Sequence, residues 1–393
     1  MEITFIEFVL VKFKKMSNKR FFLYLPLLIV FLSCSEKSAS EHDFTLEITP
    51  IKKIYLKSSQ ISSEIDFLIS TIPFSEDSIL VYNGQVHSID TLILGDTSVI
   101  NAGRILSKEG PGSVLPFDFF KFYKGNFFFL SGEYLGILNN GSTRYISTSK
   151  ILKETDKSSF TFQYNLGPLW TSFDQKNGSI LLWLSDYFLE KQLLLKYNIV
   201  LDEFQTLYFE PNPRIRDHII RMNQGHIQIE NPYFPNFFFE DTTIVISYPF
   251  LRDIQKINLK DNSMKSILVG SNLFKGSKAT PQMNTGFDDF MKFKVISDTW
   301  QDDIYFGPIY KYPRIGYFRI VRDEITNGTS EKFIEVFDWN LTKLYESSLS
   351  SLSEDLDDFY FPIGDQIIFR SKTQGEEDVF SYYAITILNK SSN

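Results

Sequence analysis

A short polar turn followed by an apolar strand recurs six times along this chain, and this recurrence limits the possible folds more than any other feature. The first apolar residues of the six strands are Ile79, Phe127, Ile180, Ile244, Ile304 and Ile367. Successive copies are about 50 to 60 residues apart, and one four-stranded β-propeller blade with its turns takes about 40 to 60 residues. The recurrence therefore predicts an all-β protein, and in particular a six-bladed β-propeller.

The composition also favours β-structure. The chain of 393 residues contains 39 Phe and 20 Tyr, and aromatic residues suit the half-buried surface of a sheet. From Phe44 to Thr49, apolar and polar residues alternate as they do in a strand with one buried face. Because Asp, Asn and Gly precede strands in any β-rich protein, seven blades, a large β-sandwich and a pair of β-domains stay open as alternatives.

The stretch from Arg104 to Ile146 illustrates the predicted local arrangement. Its short strands end at turn residues 110–112, 124–126 and 139–141. This spacing predicts an up-and-down antiparallel sheet. The best helical pattern in the chain runs from Ser348 to Asp358, where three leucines share one helical face, so we predict a short helix there.

The boundaries of the domain follow from the absence of a linker in the sequence. No disordered stretch interrupts the chain between Phe44 and Leu388, so we predict one propeller domain over residues 44–388. An open ring would leave unpaired strand edges. We therefore expect a strand at 44–56 or at 379–388 to complete a blade that the other end of the chain begins.

The N-terminal segment has the features of a lipoprotein signal peptide. Lys19 and Arg20 precede an apolar run of about 12 residues, which is too short to cross a bilayer because a spanning helix needs about 20. Ser33 and Cys34 follow this run, where a lipoprotein signal would be cleaved. We predict a signal peptide over residues 1–33, with Met16 as the true start, and lipidation of Cys34. A free buried thiol is the alternative for Cys34.

Residues 34–43 are predicted to form a lipidated tether, because they are polar and directly follow the cleavage site. The chain contains one cysteine. Acylation of that cysteine would leave no thiol for a disulfide bond or for cysteine catalysis.

Several segments of this sequence resemble a family of uncharacterised lipoproteins from Bacteroidota. The resemblance rests on the lipoprotein leader, the Lys-Glu-Gly-Pro-Gly turn at 108–112, the aromatic segment Tyr310 to Arg314 and the strand from Phe333 to Asp338. It extends over roughly residues 44–388 and implies a six-bladed propeller of the NHL or TolB-like kind in the cell envelope. It implies no catalytic residues.

Charge and motifs exclude several classes of function. The formal net charge of −8 at pH 7 leaves no basic surface for nucleic acid. The sequence lacks a serine-hydrolase elbow, a phosphate-binding loop and a dinucleotide-binding fingerprint. We therefore expect no nucleic-acid partner, and we find no catalytic residues to nominate.

Metal sites are weakly indicated. His218 and His226 lie near Asp217, but no third ligand follows at zinc-site spacing. The acidic stretch 298–303 resembles a calcium loop, although it lacks the glycine and the closing Glu of an EF-hand. We expect no cofactor and no metal, with Ca²⁺ as an open alternative.

The segment from Trp300 to Arg322 is the best candidate for a ligand-binding surface, since aromatic rings alternate there with arginines. Blade packing would use the same residue types, so a structural role is the alternative. The candidate residues are Trp300, Tyr310, Tyr312, Arg314, Arg319 and Arg322.

Taken together, these features predict an outer-membrane-anchored lipoprotein that faces the periplasm or the cell surface. The propeller would bind or scaffold an envelope protein, a peptide or a glycan. The alternative is a propeller enzyme that acts on a polysaccharide or on a lactone-like ester.

Replacing the predicted acylation site should release the protein from the membrane. Cells that express Cys34→Ala should contain the protein in the soluble fraction and incorporate no labelled fatty acid into it, because the lipid is the predicted anchor. Ser38→Ala, in the tether, serves as the matched control and should stay membrane-bound. Retention of Cys34→Ala in the membrane fraction would contradict lipid anchoring.

Overall fold

The computed structural model describes most of the chain between residues 44 and 389. The described ranges are 44–55, 71–73, 75, 78–83, 87–93, 99–117, 119–123, 125–131, 133–147, 149, 161–162, 171–174, 179–186, 191–198, 201–207, 212–224, 227–231, 235–240, 242–261, 263–281, 289–373 and 379–389. The predicted signal peptide, Cys34 and the tether lie outside these ranges.

Antiparallel strands dominate the described residues. The first strand, β1 (Phe44–Tyr55), pairs in the last sheet. Sheet I contains β2 (Thr71–Pro73), β3 (Ser78–Asn83), β4 (Ser88–Ile93) and β5 (Val99–Ile105). Sheet II contains β6 (Phe119–Tyr123), β7 (Asn126–Leu130), β8 (Tyr134–Asn139) and β9 (Ser142–Ser147). Sheet III contains β10 (Thr161–Phe162), β11 (Thr171–Asp174), β12 (Ser179–Asp186), β13 (Lys191–Asn198) and β14 (Glu203–Leu207).

The second half of the chain repeats this arrangement with additional elements. A 3-10 helix (Pro213–His218) and a hairpin of β15 (Ile220–Gln224) and β16 (Ile227–Asn231) come first. Sheet IV contains β17 (Asn236–Glu240), β18 (Thr243–Tyr248), β19 (Leu251–Asn258) and β20 (Ser263–Ile267). Helix α1 (Phe290–Asp302) precedes sheet V, which contains β21 (Tyr305–Tyr312), β22 (Gly316–Arg322), β23 (Lys332–Phe337) and β24 (Lys343–Ser348). Sheet VI contains β25 (Leu356–Ile363), β26 (Gln366–Ser371), β27 (Val379–Asn389) and β1.

Tight turns of the predicted kind connect neighbouring strands. Asn139 pairs with Ser142 across β8 and β9. The two residues between them, Asn140 and Gly141, have φ angles of 47° and 79°. Positive φ at both positions is the geometry of a type I′ hairpin, which Asn-Gly favours. The predicted turn at 139–141 is therefore confirmed.

The sheets pack face to face in chain order. One buried cluster joins sheets I and II, and others join III to IV, IV to V and V to VI. Arg144 of sheet II bonds to Asp202 beside sheet III at 3.2 Å. Strand β11 of sheet III and the first strands of sheets IV, V, VI and I also contact one another in the order β11, β17, β21, β25 and β2. Sheets arranged in this way, with their first strands innermost, form a β-propeller.

Strands from the two ends of the described chain complete sheet VI. β1 hydrogen-bonds to β27, so the sheet has the order β1-β27-β26-β25. The expected closure by the 44–56 strand is therefore present. Phe44, Leu46 and Ile48 all pack on the cluster between sheets V and VI, which confirms the predicted alternation.

Five of the six predicted repeat positions are equivalent in the structure. Ile79, Phe127, Ile180, Ile244 and Ile367 are the second residues of β3, β7, β12, β18 and β26, and each of these strands lies next to an edge strand of its sheet. The sixth position is wrong, since Ile304 precedes the first strand of sheet V and the equivalent residue is Tyr317. Asp302 and Asp303 end a helix at this point, and a helix end supplies the same polar-to-apolar change as a turn.

The predicted helix from Ser348 to Asp358 is wrong. The segment contains the end of β24, a turn, and the start of β25. Leu349 and Leu356 are buried between sheets V and VI, and Leu352 packs against them. Three leucines that pack between sheets V and VI therefore imitated the spacing of a helical face. In the described ranges no helix is long and apolar enough to cross a membrane.

The first strands of sheets V and VI approach each other closely at Gly307. A Cβ atom at Gly307 would overlap Tyr360 Oη and lie 2.7 Å from the carbonyl oxygen of Ile320. Gly307→Ala should lower the free energy of unfolding by about 1 to 3 kcal/mol, the usual effect of overpacking. Gly270→Ala is the control, because nothing lies within 4 Å of a Cβ atom there. Equal denaturation midpoints for the two variants would contradict the tight packing.

Candidate functional site

The additional helices and the β15–β16 hairpin lie in connections between the last strand of one sheet and the first strand of the next. In an antiparallel meander these connections share one end of the sheets with the turns between second and third strands. We call this end the loop face. A cluster of charged and aromatic side chains lies there at the junction of sheets IV and V. This loop-face cluster consists of His218, Lys278, Trp300, Asp303, Tyr305 and Arg322.

Helix α1 covers the cluster. The side chain of Asp289 accepts a hydrogen bond from the Met291 N–H at 2.9 Å, so it caps the first turn. Phe293, Ser297 and Trp300 form the buried face of the helix. The backbone at Asp303 is extended and ends it. Trp300 thus lies in the last turn, directly above the first strand of sheet V.

Asp303 connects the helix end to the loop before it. Its carboxylate accepts hydrogen bonds from the Ile304 N–H at 2.6 Å and from the Ala279 N–H at 2.7 Å. Lys275 also pairs with it. Burial alone would raise the pKa of the Asp303 carboxyl, but the bonds from Lys275 and the two backbone groups lower it overall.

Lys278 is buried under the same helix end, with 2% of its surface exposed. Its Nζ donates to the carbonyl oxygens of Trp300 at 2.7 Å and Asp303 at 3.3 Å. It also lies 3.8 Å from the centroid of the Trp300 ring. Burial, with the nearby charge of Arg322, lowers the pKa of Lys278 to about 7. The side chain satisfies carbonyl groups that a helix C-terminus leaves without partners.

His218 supports the other side of Trp300. The indole Nε1–H donates to His218 Nδ1 at 3.2 Å, and the imidazole stacks on Phe250 with 4.4 Å between ring centroids. His218 Nε2 is buried and has no hydrogen-bond partner. Burial and the charge of Arg214 lower the pKa of His218 to about 4. His218 is therefore a neutral acceptor at pH 7.

Arg322 joins sheet V to the helix end. Its guanidinium donates to the carbonyl oxygens of Gln301 and Asp303, and it lies 6.0 Å from the centroid of the Tyr305 ring. Tyr305 and Arg322 are cross-strand partners. Burial raises the pKa of Tyr305. Three cations, Lys275, Lys278 and Arg322, thus surround the negative end of α1.

Two of the six predicted ligand-surface residues, Trp300 and Arg322, lie in this cluster. Tyr312 is buried instead, where its hydroxyl donates to the Asp365 carbonyl and accepts from the Ile387 N–H at 2.9 Å. Tyr310, on the first strand of sheet V, lies near Phe318 of β22 and Tyr360 of β25. These two tyrosines therefore join sheets V and VI.

The other two predicted residues lie elsewhere. Arg319 is completely buried, and its Nε donates to Glu335 at 2.9 Å. Arg314 is exposed at the opposite end of the sheets, with a φ angle of 67°. The six candidate residues therefore do not lie on one surface, because the β21–β22 hairpin runs from one end of the sheet to the other.

The structure also places the weaker candidates. Residues 298–302 belong to α1, so the interpretation of 298–303 as a calcium loop is wrong. His87 lies in the core, with Nδ1 2.7 Å from the Tyr82 hydroxyl and Nε2 3.0 Å from the Val114 carbonyl oxygen. His226 lies outside the described residues. No group of three potential metal ligands occurs within the described ranges.

Sequence reasoning missed Lys278 and helix α1. A signal for the helix was present, since Asp289 precedes Phe290, Phe293, Ile296 and Trp300 at helical spacing. A single lysine in a polar loop carries no comparable signal. Its burial depends on where α1 packs.

Comparisons with known proteins extend the description of the fold. No protein-family model matches the chain, and no curated protein matches it. A member of the DUF4221 family from Bacteroides vulgatus aligns with a TM-score of 0.59 and 11% identity, over 89% of this chain and 100% of that one. A Bacteroides fragilis protein whose name refers to export aligns with a TM-score of 0.50 and 13% identity, over 87% of this chain and 95% of that one.

The shared feature is the fold. At 11% and 13% identity, the two alignments carry no information about residue roles. They show that chains of this architecture occur in Bacteroides, the kind of organism that the sequence resemblance indicated.

The buried neutral His218 should make the protein sensitive to acid. Its pKa is about 4 in the folded protein and 6.5 in the unfolded chain. The unfolded chain therefore binds the additional proton first as the pH falls, and the free energy of unfolding should decrease between pH 6.5 and pH 4. His218→Gln should show a smaller decrease in chemical denaturation, since Gln does not titrate. The difference between the two proteins should be constant above pH 7.5. Parallel curves throughout would contradict this role of His218.

Proposed function

We propose that this protein is a cell-envelope lipoprotein whose six sheets are the blades of a six-bladed β-propeller, and that the propeller binds a protein, a peptide or a glycan. The observation that carries the proposal is the structural role of the loop-face cluster. Its charged and aromatic side chains hold α1 and the preceding loop on sheets IV and V. The cluster therefore supports a surface instead of presenting reactive groups.

Three titratable groups of the cluster support this interpretation. The Lys278 ammonium donates to two carbonyl groups, and the Asp303 carboxylate accepts from two backbone N–H groups. His218 Nδ1 accepts from Trp300. An acid–base catalyst has to reach the proton that it transfers, whereas His218 and Lys278 are 0% and 2% exposed.

Helix α1 offers the surface that the cluster supports. Phe290, Met291 and Val295 are 51%, 64% and 59% exposed. Met291 and Val295 are one turn apart and face outward. Exposed apolar side chains on a firmly held helix are typical of a binding surface.

Two observations support the proposed location in the cell envelope. The predicted signal peptide and Cys34 favour a lipid anchor, and a Bacteroides fragilis protein with the same fold has a name that refers to export. We propose the outer membrane as the site of anchoring, with the propeller in the periplasm or at the cell surface.

One observation favours the alternative, an enzyme that acts on a polysaccharide or on a lactone-like ester. The pKa of Lys278 is lowered to about 7, and perturbed lysines occur in active sites. The binding function is the better supported of the two because Lys278 Nζ is occupied by helix carbonyl groups.

Thermal unfolding of the full chain with envelope glycans, peptidoglycan fragments and envelope-derived peptides tests the proposal. A ligand at about 100 times its Kd should add about 2.7 kcal/mol to the free energy of unfolding and raise the midpoint. The double variant Met291→Ser/Val295→Ser should reduce that shift. Met264→Ser, which changes an exposed apolar residue on β20, is the matched control.

Two results would contradict the proposal. One is the absence of any ligand-induced shift together with the absence of cross-linked partners in the native envelope. The other is turnover of a polysaccharide or ester that Lys278→Met abolishes while the fold is retained, which would establish the enzyme instead.

A further inference from the structure

Trp339 is an exposed aromatic residue at the end of the sheets opposite the loop face. It lies in the turn between β23 and β24, and 43% of its surface is exposed. The turn is well ordered by its own bonds, since Asp338 Oδ1 accepts from the N–H groups of Asn340 at 2.8 Å and Thr342 at 2.7 Å. Leu341 in the same turn is buried. The indole is therefore presented on a rigid support.

A cation and a second ring lie beside the indole. Lys311 Nζ is 5.1 Å from the centroid of the Trp339 ring. The ring of Tyr317 meets Trp339 edge to face, with 5.6 Å between centroids. Lys311 and Tyr317 are cross-strand partners in sheet V. Strand pairing thus fixes the position of both groups relative to the turn.

A neighbouring turn adds a second cation. Arg314 is exposed in the turn between β21 and β22, which packs against the Trp339 turn at Gly316. A Cβ atom at Gly316 would lie 2.6 Å from the carbonyl carbon of Asp338, and the φ angle of Gly316 is 144°. Only glycine allows this approach without strain. We name Lys311, Arg314, Tyr317 and Trp339 the Trp339 patch.

We propose that the Trp339 patch binds an acidic glycan, with one pyranose ring stacked on the indole of Trp339 and its carboxylate directed to Lys311 and Arg314. One face of a pyranose ring carries C–H groups that pack on an aromatic ring. A carboxylate forms charge-assisted hydrogen bonds with lysine and arginine. This inference goes beyond the proposed function, because it assigns one ligand class to a second surface at the other end of the sheets.

The hydrogen bonds of the turn favour a glycan over a peptide. The N–H groups of Asp338, Asn340, Leu341 and Thr342 all donate within the turn. An extended peptide that adds to a sheet requires unpaired backbone groups. These four N–H groups are therefore not available to an added strand, and the exposed side chains of the patch suit a ring with a charged substituent.

The binding test uses the full chain, a hexuronic acid oligomer and the methyl ester of the same oligomer. Both probes have the same rings, but the ester lacks the charge. Calorimetric titration should show tighter binding of the acid than of the ester, and weaker binding of the acid at high salt. Trp339→Ala should raise the Kd for the acid about tenfold, because it removes the stacking surface.

Variants of the two cationic residues separate the contribution of charge from that of ring stacking. Lys311→Gln and Arg314→Gln should remove the preference for the acid while the ester still binds. Lys260→Gln, in a turn of the neighbouring sheet, and Leu268→Ala, an exposed apolar residue just after β20, are the matched controls and should leave the Kd unchanged. Equal thermal unfolding midpoints would show that the variants are folded.

Three results would overturn the inference. These are the absence of binding of either oligomer at millimolar concentration, binding that Trp339→Ala leaves unchanged, and equal affinity for acid and ester. Binding of an acidic peptide at the patch without any binding of the oligomers would also overturn it. If neither oligomer binds but another envelope ligand binds independently of Trp339, this inference is rejected and the proposed function is retained. If no envelope ligand binds at all, both are rejected.

Discussion

Hydrogen bonding between β1 and β27 holds the two ends of the described chain in one sheet. No other strand pair in the described sheets joins residues so far apart in sequence. Ordering a loop of this length has an entropic cost that grows slowly with its length. The paired strands bury Phe44 and Ile385 against sheet V. Sheet VI can therefore lie between sheets V and I, and each remaining sheet needs only to pack on its neighbours in chain order.

Sheet V connects the Trp339 patch to the loop-face cluster. Strand β22 begins beside the Trp339 patch at Tyr317 and ends in the loop-face cluster at Arg322. Between them, Arg319 is buried against Glu335 and donates to the Arg252 carbonyl of sheet IV at 2.9 Å. Such a pair adds little net stability, but losing one partner costs about 3 to 5 kcal/mol. It therefore fixes the register of β22 and β23.

The loop-face cluster shows how a helix is held on a propeller. The C-terminus of α1 carries partial negative charge, and Lys278 and Arg322 donate to its carbonyl groups. The low pKa of His218 follows from burial beneath the same helix. Perturbed pKa values here are thus explained by packing. The Trp339 patch differs because Trp339, Lys311 and Arg314 are exposed.

The sequence by itself determined the all-β class, the turn at 139–141 and five of the six repeat positions, because turn residues and strand alternation act over a few neighbouring residues. Tertiary structure decided the rest. The burial of Lys278 and Arg319, the separation of Trp300 from Arg314 and the exposure of Trp339 all depend on which strands and helices meet. These contacts join residues distant in the chain, so no local pattern of residue types records them.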